Sequence, residues 1–235
     1  METIQEVLQD IESLRYIPNG GECICLFSGG KDSVLALAMA IEQGARVYEL
    51  VHSLNSDTNL SAWHKQSDKI AKNQALELGM RINAVPAGVF QNKTQFIRLL
   101  KEYKNKGVEY VVCGDVLEGD QSLLEITYCL TAGLRPVMPL WKRTNTEILQ
   151  LVEKHRIEAI ITYIEDEKQI DEKWLGKKYD RVFFEELKRI QVDEIGEDGE
   201  FHSTVVDACI FNKRLDFTFG KVEYTNQGVK IPLIV

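Results

Sequence analysis

Strand-like apolar runs alternate with helix-like segments along the first 140 residues, and this alternation limits the possible folds more than any other feature. The run Glu22–Phe27 is followed by glycines and then by the helical stretch Asp32–Gln43. Further strands are predicted at Arg46–Val51, Arg81–Val85, Glu109–Cys113 and Pro136–Leu140, and further helices at Ser61–Leu78, Asn92–Lys106 and Ser122–Thr131. Such alternation gives βαβ units and therefore a parallel sheet with helices on both faces. Ligands of open α/β sheets bind at the carboxyl ends of the strands.

Glycines at the ends of the helical patterns support these assignments. A left-handed backbone, which glycine adopts without strain, often ends a helix. The positions concerned are Gly44, Gly79, Gly107 and Gly133. Residues 1–20, ahead of the first strand, are predicted to be an element appended to the domain, with a helix at Ile4–Leu14.

The pattern changes after Trp141. A helix at Thr146–His155 and a strand at Ala159–Ile164 could still extend the sheet, and a helix is predicted at Asp180–Arg189. Beyond it, Glu200–Phe211 looks extended, and Lys221–Tyr224 with Val229–Val235 is predicted to form a hairpin. We therefore predict one α/β domain over residues 1–140 and a smaller α+β substrate-side portion over residues 141–235.

Composition excludes several classes of protein. No run approaches the roughly 18 to 20 apolar residues that span a bilayer, and the polar start does not resemble a secretory signal. Five cysteines without a CxxC pair argue against a disulfide framework and a zinc site. Cys23 and Cys25 are expected on one face of a strand, and these two, Cys113 and Cys129 are expected to be reduced core residues. These observations predict a cytoplasmic protein with no membrane association.

The net charge of −8 is concentrated in one segment. Residues 158–200 contain 14 acidic and 7 basic residues, a net charge of −7. A nucleic-acid-binding protein would show a basic stripe instead, so nucleic acid is not an expected partner. The acidic segment is interpreted either as a solvated surface or as a face that receives a cationic or amine-bearing substrate.

The sharpest motif is Ser28-Gly29-Gly30-Lys31-Asp32-Ser33, between the first strand and the first helix of the domain. Two glycines let the backbone turn tightly and approach a phosphate, and the following helix presents its positive end to an anion. The two serine hydroxyls add donors, and Lys31 adds a positive charge. Asp32 is expected to cap or start the helix, or to hold a magnesium ion.

Two better-known glycine-rich loops do not fit this hexapeptide. A Walker A loop requires Gly and Ser or Thr where this chain has Cys25 and Asp32. The dinucleotide pattern GxGxxG is also missing from the hexapeptide. An ordinary Gly-Gly turn would not require the flanking Ser, Lys and Asp residues, so a phosphate loop is the favoured interpretation.

SGGKDS resembles the pyrophosphate loop of the adenine-nucleotide α-hydrolase superfamily, whose members cleave ATP to AMP and pyrophosphate. Four further stretches resemble one branch of it, the diphthine–ammonia ligase family. They are Trp63-His64 followed by Gln74-Ala75 and Leu78-Gly79, then Gly114-Asp115, Pro139-Leu140-Trp141, and Gly196-Glu197-Asp198-Gly199-Glu200-Phe201-His202 with Asp207 beyond. The resemblance covers about residues 22 to 212. It implies a Rossmann-like, HUP-type nucleotide-binding fold.

The resemblance also implies roles for individual residues. ATP would contact the whole hexapeptide Ser28, Gly29, Gly30, Lys31, Asp32 and Ser33, together with His64 and Asp115, and Mg²⁺ would be held by Asp32 and Asp115. Catalysis would involve Lys31, Glu197, Glu200 and His202. The glycines of the C-terminal signature bracket a turn, which is expected to bring its two glutamates and its histidine together. There they could hold magnesium, orient an ammonium ion or take a proton from it.

The chain departs from the family pattern at three places. Ser203 stands where family members usually have Thr, Cys209 where they usually have Pro, and residues 114–134 contain no Arg. These differences leave ATP binding untouched and the acceptor open.

The resemblance implies an AMP-forming amide ligase that uses ATP, Mg²⁺ and ammonium. The acceptor carboxylate is either diphthine on modified elongation factor 2 or a small molecule. Two alternatives remain: a thiolation-type adenylating enzyme, which should carry a catalytic cysteine pair and a basic RNA-binding surface, and a nucleotide sensor that performs no chemistry. The sequence is compatible with a homodimer.

Overall fold

The structure is a computed structural model that describes residues 4–61, 65–166 and 169–235. The N-terminal elements are α1 (Ile4–Gln9), α2 (Ile11–Leu14), β1 (Glu22–Leu26), α3 (Lys31–Glu42), β2 (Arg46–Asn55), β3 (Leu60–Ser61), α4 (Asp68–Glu77), β4 (Ile82–Pro86), α5 (Ala87–Gln91), α6 (Lys93–Asn105), β5 (Tyr110–Val112), α7 (Asp120–Ala132) and β6 (Arg135–Val137). The C-terminal elements are α8 (Asn145–Lys154), β7 (Glu158–Glu165), a 3₁₀ turn (Glu172–Trp174), α9 (Arg181–Arg189), β8 (Phe201–Asp207), β9 (Thr218–Phe219), β10 (Glu223–Tyr224), β11 (Gly228–Lys230) and β12 (Leu233–Ile234).

The first sheet has the strand order of a nucleotide-binding fold. Strand β1 lies at its centre, between β2 and β5, and β4 and β6 pair with the outer edges of these two, all in parallel. Among the parallel strands the order is 3-2-1-4-5, so the chain changes direction between β1 and β5. The short β3 pairs antiparallel with the end of β2. The predicted Rossmann-like α/β fold with a mainly parallel sheet is confirmed.

Apolar side chains fill both faces of this sheet. Along β1, Cys23 and Cys25 belong to one buried cluster and Ile24 belongs to the other. The first cluster includes residues of α3, α4 and α8, and the second includes residues of α1, α6 and α7. The structure therefore confirms that the two cysteines share a face and that helices cover both faces.

A second, antiparallel sheet lies in the C-terminal part, in the order β10-β11-β7-β8. The prediction that the strand after α8 extends the parallel sheet is wrong. Strand β7 pairs antiparallel with β8 on one edge and with β11 on the other, so neither edge is available to the first sheet. Strands β9 and β12 form a separate pair.

Several boundaries differ from the predictions for local reasons. The helix predicted from Ser61 begins at Asp68, because the Ser67 side chain caps it by accepting from the Lys69 amide. The opening helix is two short helices, since Asp10 caps the second. The C-terminal hairpin forms between β10 and β11, whereas β12 pairs with β9 instead.

The predicted glycine caps are confirmed, since all four glycines have positive φ angles. These are 91° at Gly44, 64° at Gly79, 92° at Gly107 and 78° at Gly133. Within the described residues, no helix is both long enough and apolar enough to cross a membrane.

Candidate functional site

A cleft of about 280 Å³ opens where the chain direction of the first sheet changes. The ends of β1 and β5 form its floor, and residues of the C-terminal part close one side. The residues that line it are Leu26, Phe27, Ser28, Asp32, Ser33, Val51, Ser53, Phe90, Cys113, Gly114, Asp115, Gln121, Glu125, Gly196, Glu197 and His202. Its position is the one expected for a ligand of an open α/β sheet.

Hydrogen bonds to serine hydroxyls fix the SGGKDS loop. The Gly29 amide donates to Ser33 Oγ over 3.1 Å, and the Gly30 amide donates to Ser28 Oγ over 3.3 Å. The two hydroxyl oxygens lie 3.0 Å apart. Helix α3 is capped by Gly30, and Asp32 lies in its first turn. The capping role considered for Asp32 is therefore wrong, whereas its place at the start of the helix is as predicted.

Two glycines of the site lie so close to other groups that a side chain would not fit. Gly29 has φ of +83°, and a Cβ atom there would lie 2.3 Å from Gln74 Oε1. A Cβ atom on Gly114 would lie 3.0 Å from the Asp32 carbonyl carbon and from the Ser33 amide nitrogen. The start of α3 therefore packs directly on the backbone that follows β5.

The Lys31 side chain is buried, and the structure does not bring its ammonium group into the cleft. Its Nζ atom donates to the Ile195 carbonyl and, over 2.8 Å, to the Asp32 carboxylate. The same atom lies 5.3 Å from the ring centroid of Tyr179 and 5.4 Å from that of Phe201. A carbonyl, a carboxylate and two aromatic faces thus surround the ammonium without any ligand.

Carboxyl groups dominate the polar part of the cleft. Burial, and next the charge of Glu125, raise the pKa of Asp115 well above its usual range. Burial also raises the pKa of Glu125, and the two groups are hydrogen-bonded to each other, which requires a proton on one of them. Three potential metal-ligand atoms lie within 4.8 Å of one another, one each on Cys113, Asp115 and Glu125. Among the described residues, Asp32 Oδ1 is a buried atom without a hydrogen-bond partner.

Glu197, in the turn of the C-terminal signature, faces these groups. Burial and the negative charge of Asp32 raise the pKa of Glu197 to about 7. Its carboxylate accepts from the backbone amides of Val116 and Leu117 over 3.3 and 3.4 Å. These bonds connect the turn to the loop after β5, so they fix Glu197 in the lining of the cleft.

The other residues of the C-terminal signature take separate positions. His202 lines the cleft and stacks on Tyr163 with 5.2 Å between the ring centroids. Burial, and then the positive charges of Lys65 and Lys31, lower the pKa of His202 to about 4. Glu200 is buried and is not one of the cleft-lining residues described above. His64, predicted to contact ATP, lies outside the described residues.

Sequence reasoning missed part of the cleft. Glu125 and Gln121 reach it from α7 and are hydrogen-bonded to each other over 3.1 Å. Phe90 comes from the short helix α5, which was not predicted at all. Glu125 lies ten residues after Asp115 on a helix that follows the β5 loop, and a carboxylate near the start of such a helix is the signal that could have indicated it.

Comparison with known families matches nearly the whole chain. The model described as the Diphthamide synthase N-terminal domain matches residues 21–136, and the model described as the Diphthamide synthase C-terminal domain matches residues 144–231. The chain is 27% identical over 214 residues to a diphthine–ammonia ligase of Bos taurus, covering 81% of this chain and 80% of that protein. It is 24% identical over 216 residues to the diphthine–ammonia ligase of Homo sapiens, with the same two coverages.

Two solved structures are more distantly similar. One is described as a predicted subunit of tRNA methyltransferase from Methanocaldococcus jannaschii, with a TM-score of 0.43 and 14% identity over 80% of this chain and 97% of that chain. The other is the U34-tRNA thiolase NcsA of Methanococcus maripaludis, with a TM-score of 0.41 and 12% identity over 64% of this chain and 62% of that chain.

Proposed function

The chain belongs to the diphthamide synthase family, and from this premise we propose that it is an ATP-dependent ligase that joins ammonia to a carboxylate with release of AMP and pyrophosphate. The observation that carries the proposal is the shared cleft. A glycine-rich loop at a helix start and a carboxylate with a pKa near 7, on Glu197, both line it. Such a cleft offers an anion site beside a proton acceptor.

ATP would lie along the ends of β1 and β2. The apolar side chains of Leu26, Phe27 and Val51 line this end of the cleft and suit an adenine ring. Ser28 and Ser33 line the neighbouring part, where the first turn of α3 directs its amides. The phosphate oxygens of ATP would then accept the hydrogen bonds that the loop amides now donate to the serine hydroxyl oxygens.

The acidic groups suit a divalent cation. Asp32 and Asp115 offer the oxygen ligands that Mg²⁺ prefers, and Asp32 Oδ1 has no other partner among the described residues. Bound there with the nucleotide, Mg²⁺ would neutralise charge on the phosphates and on the departing pyrophosphate. Without a cation, a polyphosphate would face Asp32, Asp115, Glu125 and Glu197 at close range. Lys31, turned away from the cleft, would act by neutralising Asp32 and by anchoring the loop.

The chemistry proposed has two steps. A carboxylate oxygen of the acceptor attacks the α-phosphorus, and the bond to pyrophosphate breaks. The lone pair of ammonia then attacks the acyl carbon, the bond to AMP breaks, and the nitrogen loses one further proton to the released phosphate group or to solvent. Glu197, with its pKa of about 7, takes the proton that ammonium must lose. His202 is neutral above about pH 4, so it would shape the site rather than donate a proton.

The acceptor follows from the relatives only as a class. Diphthine is the acceptor that their name implies. The family resemblance places it on modified elongation factor 2, and a small-molecule carboxylate is the alternative. Cytoplasmic location would fit either acceptor.

A thiolation-type function is disfavoured by the cysteines. Cys113 is the cysteine in the cleft, and burial raises its pKa well above the usual range, so its nucleophilic thiolate form is suppressed. Cys23, Cys25 and Cys129 are buried as well. Cys209 is exposed but is not among the residues that line the cleft.

The nucleotide product tests the proposal. The protein is incubated with ATP labelled on its α-phosphate, Mg²⁺, ammonium and either diphthine-bearing elongation factor 2 or a panel of small carboxylates. AMP and pyrophosphate that depend on the acceptor are expected. Glu197→Gln should slow amide formation by about 100-fold, as expected for loss of a general base. Asp198→Asn, at an exposed neighbouring carboxylate, is the control that should keep activity.

Two outcomes would contradict this assignment. ADP and phosphate as products would rule out cleavage at the α-phosphate. ATP binding without turnover on any acceptor would favour the nucleotide sensor.

A further inference from the structure

A second, much smaller cavity of about 10 Å³ lies behind the phosphate loop. Ser28 and Gly29 form the wall that it shares with the loop. Residues of β2, β3, α4 and β8, together with the two residues that precede α4, form the rest. Three polar atoms in its lining have no hydrogen-bond partner among the described residues: His52 Nε2, Ser61 Oγ and Gln74 Oε1. Their residues are 1%, 4% and 0% exposed. Buried polar atoms in proteins nearly always have partners, so this convergence requires an explanation.

The hydrogen bonds around the cavity determine what these atoms need. His52 Nδ1 lies 2.8 Å from the Phe27 carbonyl, which can only accept, so Nδ1 carries the hydrogen and Nε2 is an acceptor. Gln74 Nε2 donates to the carbonyls of Gly29 and Val205 over 2.9 and 2.7 Å. Both amide hydrogens are thereby used, and Gln74 Oε1 is also an acceptor. The cavity therefore requires an occupant that donates at least two hydrogen bonds.

Size and charge restrict the occupant further. A cavity of this volume is at the lower limit for one water molecule, which needs two to four polar partners. Burial lowers the pKa of His52, so the imidazole is neutral, and no carboxylate is among the lining residues of the described chain. A buried cation without a counter-charge is costly, which disfavours ammonium.

We propose that this cavity binds one ordered water molecule, which donates to His52 Nε2 and Gln74 Oε1, accepts from Ser61 Oγ, and braces the phosphate loop from behind. Through it, His52 and Ser61 act as positioning residues for the ATP site. This second part of the inference rests on the proposed function.

Gln74 is the link between the water and the loop. Its amide group ties the Gly29 carbonyl of the loop to the Val205 carbonyl of β8. If the amide turned over, Gln74 Oε1 would face those two carbonyl oxygens and repel both. A water that donates to Gln74 Oε1 favours the observed orientation. It therefore helps to hold Gly29 at its positive φ angle, in the conformation that directs the loop amides.

A crystal structure of the unaltered protein at high resolution tests the site itself. One solvent peak is expected within hydrogen-bond distance of His52 Nε2, Ser61 Oγ and Gln74 Oε1. A well-ordered cavity without such a peak would overturn the proposal. This outcome does not depend on whether the protein binds ATP.

Two substitutions at one position test whether the water supports the phosphate loop. Ser61→Val fills the cavity with methyl groups and should weaken binding of α,β-methylene ATP, measured by calorimetry, by about tenfold, since two acceptors lose their donor. Ser61→Ala leaves room for the water and should weaken binding by about threefold at most. Tyr103→Phe is the control. It removes a buried hydroxyl bonded to Asn83 and Glu49, so it should lower the melting temperature without changing affinity.

The alternatives give distinct results. The claim that the water supports the loop is refuted if the Ser61→Val protein binds the nucleotide as tightly as the unaltered protein. It is also refuted if Tyr103→Phe weakens binding as much as Ser61→Val does. If the Ser61 substitutions change only the dependence of turnover on ammonium concentration, the cavity binds ammonia, and the proposal of a bound water molecule is wrong. If the unaltered protein does not bind the nucleotide, the proposed function fails, whereas the crystallographic test of the water still stands.

Discussion

At the scale of single residues, the site shows how the environment decides what a side chain can do. Lys31 and Glu197 both belong to motifs that suggest direct contact with substrates. Lys31 is buried among a carbonyl, a carboxylate and two rings, so its charge is already compensated. Glu197 lines the cleft, where burial and Asp32 disfavour its charged form. The carboxyl group is therefore the more reactive of the two near neutral pH.

The shifted pKa of Glu197 predicts a pH-dependent stability. Its folded value is about 7, against an ordinary value of 4.5, so the native state binds more protons between these two pH values. Stability should therefore fall as pH rises through this window, and the loss should be complete above about pH 7. Glu197→Gln should remove the loss, leaving the variant about 1 to 3 kcal/mol more stable than the unaltered protein at pH 8, with little difference at pH 4.

Guanidinium unfolding at pH 4 and pH 8 measures this effect. Chelator is included, because a bound divalent cation would favour the charged carboxylate. Asp198→Asn is the matched control, since that side chain is exposed. Equal stabilisation by Glu197→Gln at both pH values would show that the pKa of Glu197 is not raised.

At the scale of elements, the cleft depends on how closely α3 approaches the end of β5. Gly114→Ala should disturb this approach, because its Cβ atom would lie 3.0 Å from backbone atoms of Asp32 and Ser33. We expect a loss of about 1 to 3 kcal/mol of stability, as for other overpacked sites, and a loss of nucleotide binding. Gly119→Ala is the control, since no atom lies within 4 Å of its added Cβ. Thermal unfolding and calorimetric titration with ATP would distinguish the two variants.

Most elements of the first sheet could be predicted from sequence. Each parallel strand is a short apolar run, and a glycine with positive φ ends the helix that precedes β2, β4, β5 or β6. These signals are local, so the chain near each residue suffices. The SGGKDS hexapeptide is equally local, and the structure places three of its residues, Ser28, Asp32 and Ser33, along the cleft.

Features that depend on distant partners were not predictable in this way. Strand β7 has the same apolar character as the parallel strands, and its membership of a second sheet depends on β8 and β11, which lie far along the chain. The direction of the Lys31 side chain depends on Ile195, which is 164 residues away. The part that Gln74 plays in holding the loop depends on its bonds to Gly29 and Val205, which are 45 and 131 residues away along the chain.

At the scale of the whole molecule, the N-terminal and C-terminal parts have separate sheets and a common core. One buried cluster contains residues of α3 and β1 together with residues of α8, α9 and β8, such as Leu35, Phe183 and Val205. The Val205 amide also donates to the Gly29 carbonyl over 3.0 Å. The predicted boundary at residue 140 therefore separates two sheets but passes through shared hydrophobic contacts. Residues 141–235 support the SGGKDS loop as well as closing the cleft.

A shared core predicts that the molecule unfolds in one cooperative transition, because neither part can lose its packing without exposing apolar surface of the other. Trp141 and Trp174 report on different cores, because the other buried residues of the cluster that contains Trp141 all precede residue 140. Trp141 is fully buried in the second cluster, and Trp174 packs on Phe183 with 5.0 Å between ring centroids.

Two variants would each retain one of these two tryptophans. One combines Trp63→Phe with Trp174→Phe, and the other combines Trp63→Phe with Trp141→Phe. Guanidinium unfolding of each variant is monitored both by tryptophan fluorescence and by far-UV circular dichroism. The two signals should give the same unfolding midpoint. A Trp174 midpoint below the midpoint for circular dichroism would instead show that the C-terminal part, from α8 onward, unfolds first. In that case the phosphate loop would lose its support from β8 while the parallel sheet remained folded, and nucleotide affinity should fall at the lower midpoint.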